Sequence, residues 1–395
     1  MRLVVLVLVV LPLAGCGERL VAPSIEPARI LEIERRIAAL RGLPFDPPAR
    51  VEVLDPTQMS ATVTRLRESD DSLRILRVWS QIDGAFGDPW KVTPLEAARR
   101  LPTDNSYGVY SAADDTLFLS RGRLNPLPDF VGDRRQLVEI VVTHELTHAW
   151  QHRHFPELFE PTSDVDWFAA QHALLEGDAE VTTLALIEGD TDDRALEKYL
   201  RFRREMADAA GQHPDRNRDW RLRYDEALRH LVGVVRRRGW DGLNGLLAHP
   251  PRATVAILER AGAGCEGERD EPLPCPDGWR LAVATAVGAF NIPSLLQLRP
   301  APLAMKGWCG DWLQICRRND SHDFAWRWQS IWRTEDEAES FAAEVRRRLG
   351  RQHERASEAD PVSPSPASWV ERRGRRVAAA DSNVAGAVIP LPADW

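Results

Sequence analysis

The sequence predicts an α+β fold with a mostly helical centre. Apolar residues recur at helical spacing in long stretches between residues 133 and 239, a pattern at 107–120 predicts a β-hairpin, and strand-like alternation follows Cys275. The chain has 395 residues, of which 44% are hydrophobic and 28% are charged. These values are typical of globular proteins with two or three domains. They exclude a mostly disordered chain, a collagen-like repeat and a multi-span membrane protein.

The first residues predict an export signal that is not part of the fold. Arg2 precedes an apolar run from Leu3 to Leu13, which is too short to span a bilayer and is typical of a signal peptide. The run ends in Leu13-Ala14-Gly15-Cys16, which resembles the lipobox of bacterial lipoproteins. We therefore expect a signal peptide at 1–16, lipidation at Cys16 and an exported protein on the outer membrane, facing the periplasm or the cell surface. An ordinary secretory signal with a chance cysteine is the alternative.

The elements of the first part follow from apolar periodicity and from helix stop signals. Residues 17–28 contain two prolines and form a predicted tether. A predicted helix from Pro27 to Arg41 ends at Gly42, and Val51–Leu54 alternates like a strand. A hairpin is predicted at 107–120, and further helices are predicted at 57–82, 133–154, 164–188, 193–211, 219–239 and 241–248.

The pattern after Cys275 predicts strands around one helix. The predicted helix runs from Glu335 to Leu349 and precedes a Pro/Ser-rich link at 361–367. The predicted strands cover 280–288, 311–318, 323–333 and 369–379. We therefore divide the mature chain into a core at 29–262 and a C-terminal α/β segment at 263–395, which is expected to pack on the core and not to fold independently.

The remaining cysteines predict disulfide bonds. Besides Cys16 the chain has Cys265, Cys275, Cys309 and Cys316, and an even number in an exported protein indicates two disulfides with three possible pairings. We favour Cys265 with Cys275 and Cys309 with Cys316, because each pair brackets a short turn-rich segment. A zinc knuckle is the alternative, but the nine and six intervening residues do not match structural zinc sites.

The strongest chemical signal is the HExxH motif at residues 144–148. His144 and His148 lie one helical turn apart and can hold one Zn²⁺, while Glu145 can act as a general base. Ile140 and Val141 continue the same face, so the histidines extend an apolar stripe. A metal ion would supply the partner that buried imidazoles need. Two core histidines bonded to the backbone are the structural alternative.

A catalytic zinc needs a third protein ligand and leaves a fourth position for water. Glu176 is the best candidate, because it lies 28 residues after His148 in an apolar stretch where an unpaired carboxylate is costly. A glutamate on the helix surface is the alternative, and Asp166 is a further possible ligand without the apolar setting. Three residues on the same helix could orient a ligand from behind: His172, Asp178 and Glu180.

These motifs resemble a known group of enzymes. The stretch from His144 to Gln151, followed by Glu176-Gly177-Asp178-Ala179, resembles the gluzincin type of zinc metallopeptidase, and more closely a group of little-characterised bacterial metallopeptidases. The similarity extends to the hairpin at 108–119, to the segment from Arg223 to Thr254, and to 307–334. It therefore covers most of the mature chain, from about residue 27 to about residue 380.

The resemblance implies a zincin-like core and a zinc-dependent hydrolysis of peptide bonds. It implies one Zn²⁺ per chain, bound by His144, His148 and Glu176. It also implies that Glu145 takes a proton from a zinc-activated water and delivers it to the leaving amine. The expected partners are a peptide or protein substrate and, through Cys16, the membrane.

The sequence departs from the family pattern at Glu180 and does not fix which residue stabilises the oxyanion. Gluzincins of the thermolysin type carry an acidic residue four positions after the third ligand, and this chain has Glu180 there instead of Asp. Such enzymes also use a downstream tyrosine or histidine to stabilise the oxyanion. Tyr224 is our candidate for this role and His230 is the reserve, although a tyrosine packed in the core is the alternative.

Two other functions remain open. The first is a catalytically inactive zincin-fold lipoprotein that serves in binding or envelope assembly, and its main argument is the tryptophan-rich C-terminal part. Trp326, Trp328 and Trp332 share one strand face there, which core packing explains equally well. The second is a zinc amidase that acts on cell-wall peptide. A net charge of −8 argues against nucleic-acid binding, and no organic cofactor is expected.

Overall fold

The structure is a computed structural model, and it describes most of the chain outside the N-terminal segment. The described residues are 26–87, 89–100, 107–121, 134–209, 217–258, 273–319, 321, 323–359, 367–384 and 387–389. The predicted signal peptide, the lipidation site Cys16, most of the tether, and Cys265 lie outside them. The described residues form mixed α+β structure that divides into two compact units. The first contains residues up to Ser72, Leu95–Pro161 and Gln171–Pro251; the second contains Leu73–Pro94, Thr162–Ala170 and the chain from Arg252 onward.

The first unit is mostly helical. Helix α1 begins at Pro27, which suits a first helical position, and ends at Arg41 before Gly42 in the left-handed conformation. Helix α2 is capped by Asp55, whose carboxylate accepts hydrogen bonds from two backbone N–H groups. The bounds are α1 Pro27–Arg41, α2 Pro56–Arg67, α3 Asp70–Ala85, α4 Pro94–Arg99, α5 Arg134–His154, α6 Val165–Glu188, α7 Asp193–Ala209, α8 Arg218–Trp220 and α9 Ala227–Ala248. A π-helical turn, Arg221–Glu226, joins α8 to α9.

Some of these helices contribute residues to both units. Most of α3 and the first six residues of α6 belong to the second unit, whereas the rest of α6 belongs to the first. Three strands complete the first unit: β1 at Arg50–Leu54, β2 at Gly108–Ser111 and β3 at Thr116–Ser120. They form one sheet in the order β1-β3-β2, with β1 parallel and β2 antiparallel to β3. Helix α5 packs against β2 and β3, which brings the hairpin beside the HExxH motif.

The second unit is built on an antiparallel sheet. Its strands are β4 (Trp279–Thr285), β5 (Trp308–Arg318), β6 (Phe324–Trp332), β7 (Ala367–Arg373) and β8 (Arg376–Ser382), in the order β4-β5-β6-β8-β7. Its other helices are α10 (Thr254–Leu258), α11 (Gly288–Leu295) and α12 (Glu335–Ala359), and α12 packs on β6, β7 and β8.

The core of the second unit holds the tryptophans of β6. Trp326, Trp328 and Trp332 are each at most 1% exposed. Phe86 stacks on Trp326 with ring centres 4.6 Å apart, and Phe341 of α12 contacts Trp328 edge-on at 5.0 Å. These three tryptophans therefore stabilise the unit from inside, as aromatic side chains in cores do.

The structure confirms an α+β fold with a helical part and an antiparallel sheet. Helices α1, α5 and α6 and the hairpin agree closely with their predicted bounds. The predicted helix at 57–82 is two helices, and the predicted strand at 369–379 is the hairpin of β7 and β8. The two units also differ from the expected division at residue 262, because the second unit includes 73–94 and 162–170.

The predicted disulfide pairing is wrong. The structure joins Cys275 to Cys316, with Cα atoms 5.8 Å apart, and Cys309 is also disulfide-bonded. Cys309 and Cys316 lie seven positions apart in β5, so their Cα atoms are separated by about 23 Å in an extended strand. A disulfide needs Cα atoms within about 7 Å. The antiparallel pairing of β4 with β5 instead brings the start of β4 next to Cys316.

Candidate metal centre

Three buried side chains of the first unit converge on one point. His144 and His148 come from α5 and Glu176 comes from α6, and one donor atom from each lies within 4.8 Å of the others. All three are at most 3% exposed. Helical spacing places the two imidazoles on one face of α5, with ring centres 4.8 Å apart. This cluster can bind a metal ion, as the sequence predicts.

A hydrogen-bond chain fixes the orientation of His148. Nδ1 of His148 lies 2.7 Å from Oε1 of Gln151. The amide nitrogen of Gln151 donates to Leu175 O at 2.9 Å and to Oδ2 of Asp178 at 2.8 Å. Because that nitrogen faces two acceptors, the oxygen of Gln151 must accept the proton of Nδ1. The lone pair of His148 is therefore on Nε2, which faces the cluster.

A buried arginine holds Asp178 in place. Nη1 of Arg41 donates to both carboxylate oxygens of Asp178, at 2.8 and 2.9 Å, and both residues are fully buried. Arg41 also donates to the side chain of Asn244 and lies over the ring of Trp150 at 4.1 Å. Asp178 thus contacts the cluster through Gln151.

Glu180 orients the other histidine. Its Oε1 lies 3.2 Å from Nδ1 of His144 and accepts a hydrogen bond from Arg203 at 2.7 Å. A carboxylate at Nδ1 favours a proton there and leaves the lone pair of His144 on Nε2. Helix α6 therefore supplies one donor, Glu176, and also Glu180, which orients the donor atom of His144.

The distances between the donor atoms suit a tetrahedral metal ion. Nε2 of His144 lies 3.1 Å from Oε2 of Glu176 and 3.1 Å from Nε2 of His148, and His148 Nε2 lies 3.9 Å from Glu176 Oε2. Ligands bound at about 2.0–2.1 Å in tetrahedral geometry are about 3.3 Å apart. Three electron-rich atoms at this separation repel each other unless a proton or a metal ion lies between them. The residues present therefore fit a bound cation.

The pKa values of the three clustered side chains are shifted in different directions. Burial alone would lower the pKa of His144, but hydrogen bonds to Glu176 and Glu180 outweigh it and raise that pKa to about 10. Burial and the charge of His144 lower the pKa of His148 to about 4. For Glu176, burial opposes ionisation, but the hydrogen bond and charge of His144 lower its pKa to about 2. Glu176 is thus ionised and available as a ligand.

The hairpin positions Glu145. The backbone N–H of Tyr110 in β2 donates to Oε2 of Glu145 at 2.9 Å. Burial raises the pKa of Glu145 to about 7, although the charge of His144 opposes the rise. Gly108 allows this close packing, because a Cβ atom there would lie 2.9 Å from Cγ of Glu145. A carboxyl group with a pKa near 7 is suited to accept and return a proton at neutral pH.

Gly177 allows a second close approach. A Cβ atom at Gly177 would lie 2.8 Å from Cβ of Ala227 and 3.0 Å from its backbone carbon. The close approach of α9 is therefore what requires a glycine at position 177. This contact brings the π-helical turn before α9 next to Glu176. Such turns are rare and frequently occur at functional sites.

Tyr224 lies in that π-helical turn and is partly buried. Burial and the nearby charge of Glu176 raise the pKa of its hydroxyl well above the ordinary value. Arg203 lies over its ring at 5.3 Å, and Trp220 packs beside it at 5.8 Å. The structure therefore brings the predicted oxyanion donor into the surroundings of Glu176 as a protonated group.

Other predicted residues stand apart from the cluster. His172 and His230 are not among the residues whose donor atoms converge. Asp166 belongs to the second unit, where its Oδ1 accepts a hydrogen bond from Thr254 at 2.6 Å. Three residues that hold the cluster in place were not predicted: Gln151, Arg41 and Arg203. The helical spacing could have identified Gln151, because it lies three positions after His148 on the same helix face. The two arginines come from helices that are distant in the sequence.

Comparison with known proteins adds one match in the second unit. Residues 281–388 match a family described as a domain of unknown function (DUF8575), and this stretch includes most of β4 and all of β5–β8. No curated protein and no solved structure is significantly similar to the chain. Among the described residues, no helix combines the length and the apolar character that crossing a membrane requires.

Proposed function

We propose that this chain is a zinc metallopeptidase of the gluzincin type with a zincin-like core. The single observation that carries the proposal is the convergence of His144, His148 and Glu176, with Glu145 on the next face of the same helix. Two imidazoles and one carboxylate are the ligand set of several catalytic zinc sites, which keep an open position for water. The proposal includes export and attachment to the membrane through Cys16.

The chain's own residues account for the proton transfers. A zinc ion in this site would supply a Lewis acid that lowers the pKa of water towards neutrality. Glu145 accepts the proton of that water through Oε1, since its Oε2 is held by Tyr110 N–H, and then delivers the proton to the leaving amine. The protonated hydroxyl of Tyr224 donates a hydrogen bond to the carbonyl oxygen as negative charge develops there.

The predicted alternatives lack a specific observation in their favour. The binding-protein hypothesis relied on the tryptophan-rich C-terminal part, but Trp326, Trp328 and Trp332 are core residues. A cell-wall amidase has the same ligands and differs only in its substrate, so a digestion of peptidoglycan beside a digestion of a peptide library separates it from the peptidase.

The first test is metal content by plasma mass spectrometry on the purified chain. We expect about one zinc per chain, which is lost in the His144→Ala/His148→Ala double variant and weakened in Glu176→Ala. Glu145→Gln should keep the metal and lose at least about 10²-fold in peptide hydrolysis, because it removes the proton acceptor. Absence of zinc from the wild-type chain after refolding with the metal would overturn the proposal.

A further inference from the structure

Arg223 is a buried arginine beside the metal centre, and no described side chain pairs with it. It lies in the π-helical turn, it is 7% exposed, and it forms no side-chain hydrogen bond or ion pair with the described residues. The other buried arginines around the centre differ in this respect. Arg41 is bonded to Asp178 and Arg203 is bonded to Glu180. A mostly buried guanidinium without a carboxylate among the described residues is unfavourable, so Arg223 is suited to bind an anionic partner.

The packing of the helices places Arg223 near Glu176. Ala227 contacts Gly177 so closely that a Cβ atom at Gly177 would lie 2.8 Å from Cβ of Ala227. Arg223 lies four residues before Ala227 and therefore on the same side of its helix. Glu176 immediately precedes Gly177 on the facing helix. The charge of Arg223 contributes to the low pKa of Glu176, which agrees with this placement.

The charges around the metal centre leave the positive charge of Arg223 unbalanced. Besides Asp178, which is paired with Arg41, three buried carboxylates lie in or beside the cluster: Glu145, Glu176 and Glu180. A divalent ion together with Arg203 balances these three negative charges. The charge of Arg223 therefore remains for a ligand, and a guanidinium is the side chain best suited to bind a carboxylate with two parallel hydrogen bonds.

We infer that Arg223 binds a carboxylate of the substrate beside the metal centre. The substrates are then peptides that carry a carboxylate next to the bond that is cleaved, either at the C-terminus or on an aspartate or glutamate side chain. This inference rests on the proposed peptidase function and narrows its substrate class. Arg223 is a specificity-determining residue in this account, whereas Glu145 performs the proton transfer.

The test compares peptides with and without the carboxylate on a chain that cannot cleave them. The zinc-loaded Glu145→Gln chain is the background, and Arg223→Gln, Arg223→Lys and Arg221→Gln are added to it. Arg221 is the matched control, because it lies in the same turn and is partly exposed. Three fluorescently labelled peptides serve as probes: one with a free C-terminus, its C-terminal amide, and the amide with an added internal aspartate. Fluorescence anisotropy gives the dissociation constants.

We expect the background chain to bind at least one carboxylate peptide about tenfold or more tightly than the neutral amide. Arg223→Gln should remove this difference without weakening binding of the amide, and Arg221→Gln should preserve it. Arg223→Lys, which keeps the charge, should retain part of it. The preferred carboxylate peptide identifies which of the two sources the site accepts.

Other results would overturn the inference and leave the peptidase standing. Equal binding of acid and amide peptides by a zinc-containing background chain would do so, as would a difference that survives Arg223→Gln. A lower unfolding temperature of Arg223→Gln without peptide, with equal weakening of all probes, would assign Arg223 a structural role instead. Failure of the wild-type chain to hold zinc is a separate result, which removes the proposed function itself.

Discussion

The orientation of His148 depends on Gln151, a residue that lies outside the HExxH motif. The amide of Gln151 relays the position of Asp178 to the imidazole, and Arg41 holds Asp178. Every member of this chain of contacts is fully buried or nearly so. Because a buried polar group that loses its partner is left unsatisfied, each link should matter for metal binding even though none of the three residues is among the converging donors.

Gln151→Leu should weaken zinc binding by about 10- to 100-fold, because the ring of His148 loses the group that fixes its tautomer. The measurement is a competition titration of zinc with a chelator of known affinity. Gln171→Leu is the control: Gln171 is also buried and donates to Glu160 O at 3.0 Å, but it does not contact a ligand. An equal loss of zinc affinity in both variants would contradict the relay.

Asp166 should make the second unit less stable as the pH rises. Burial raises the pKa of Asp166 well above the ordinary value, and the nearby charges of Asp311 and Asp164 add to the rise, whereas Thr254 opposes it. The folded chain therefore keeps this proton at pH values where the unfolded chain has lost it. Stability from this group is fully present below the unfolded pKa of about 3.9 and decreases as the pH rises through the folded pKa.

Asp166→Asn should therefore flatten the decrease in unfolding free energy between pH 4 and pH 8. The amide keeps the acceptor oxygen for Thr254 and cannot ionise. Denaturant unfolding at several pH values measures the slope. Asp164→Asn should flatten the slope less, since Asp164 raises the pKa of Asp166 only as a neighbouring charge. A slope unchanged from that of the wild-type chain would refute a buried proton on Asp166.

At the scale of elements, the centre depends on how closely α6 and α9 approach. Gly177 permits a contact that no other residue allows, and the π-helical turn before α9 then presents Arg223 and Tyr224 near Glu176. The hairpin contributes in the same way, since Gly108 lets β2 reach Glu145. Two glycines thus set the separation of the elements that carry the site.

Gly177→Ala should lower the unfolding free energy by about 1–3 kcal/mol, because the added methyl group overlaps the backbone of Ala227 and forces the helices apart. Gly245→Ala is the matched control, since nothing lies within 4 Å of a Cβ atom there. In α9 that change should be neutral or stabilise by up to about 1 kcal/mol through helix propensity. Denaturant titrations measure both variants, and a Gly177→Ala chain as stable as Gly245→Ala would disprove the close contact.

Sequence patterns predicted the elements whose signals are local. Helix α1 has a proline at its start and a glycine after its end, and α5 carries the HExxH motif. The break at Ser69 between α2 and α3 was missed because apolar periodicity continues across it, although the Ser69 side chain accepts a hydrogen bond from the N–H of Ser72. The turn of the last hairpin at Gly374 was missed for the same reason, although its φ of 56° favours glycine.

The same distinction between local and tertiary signals applies to the residues of the candidate metal centre. His144, Glu145 and His148 follow from a spacing within one helix, and Glu176 follows from a carboxylate in an apolar stretch. Arg41 and Arg203 support the cluster from helices that precede and follow it in the chain, so no spacing connects them to it. Their contribution depends on tertiary packing, which a single sequence does not display.

At the scale of the whole molecule, each unit is assembled from separate stretches of the chain. The core of the second unit takes Ile82 from α3, Phe86 from the residue after α3, Val165 from α6 and the tryptophans from β6. The disulfide between Cys275 and Cys316 closes a loop of 41 residues within this unit. Such a covalent link stabilises the fold chiefly by restricting the unfolded chain.

The Cys275→Ser/Cys316→Ser double variant should lower the unfolding free energy of the second unit by about 4 kcal/mol, the value expected for a loop of this length. Both cysteines are changed together so that no free thiol can exchange with the bond at Cys309. Thermal unfolding followed by the fluorescence of the buried tryptophans measures the change. Zinc content should stay near that of the wild-type chain, because every ligand belongs to the first unit. A stability equal to the wild type would contradict the entropic account.

The discontinuous second unit has a consequence for the growing polypeptide. A ribosome synthesises the chain from its N-terminus, so Ile82 and Phe86 emerge long before the strands that bury them. The first unit has all of its residues once Pro251 has been made, but these apolar side chains still await β5 and β6. A nascent chain that stalls in this interval exposes apolar side chains that no later strand yet buries. Chaperones that hold unfinished chains are therefore expected to be needed most between residue 251 and the completion of β6.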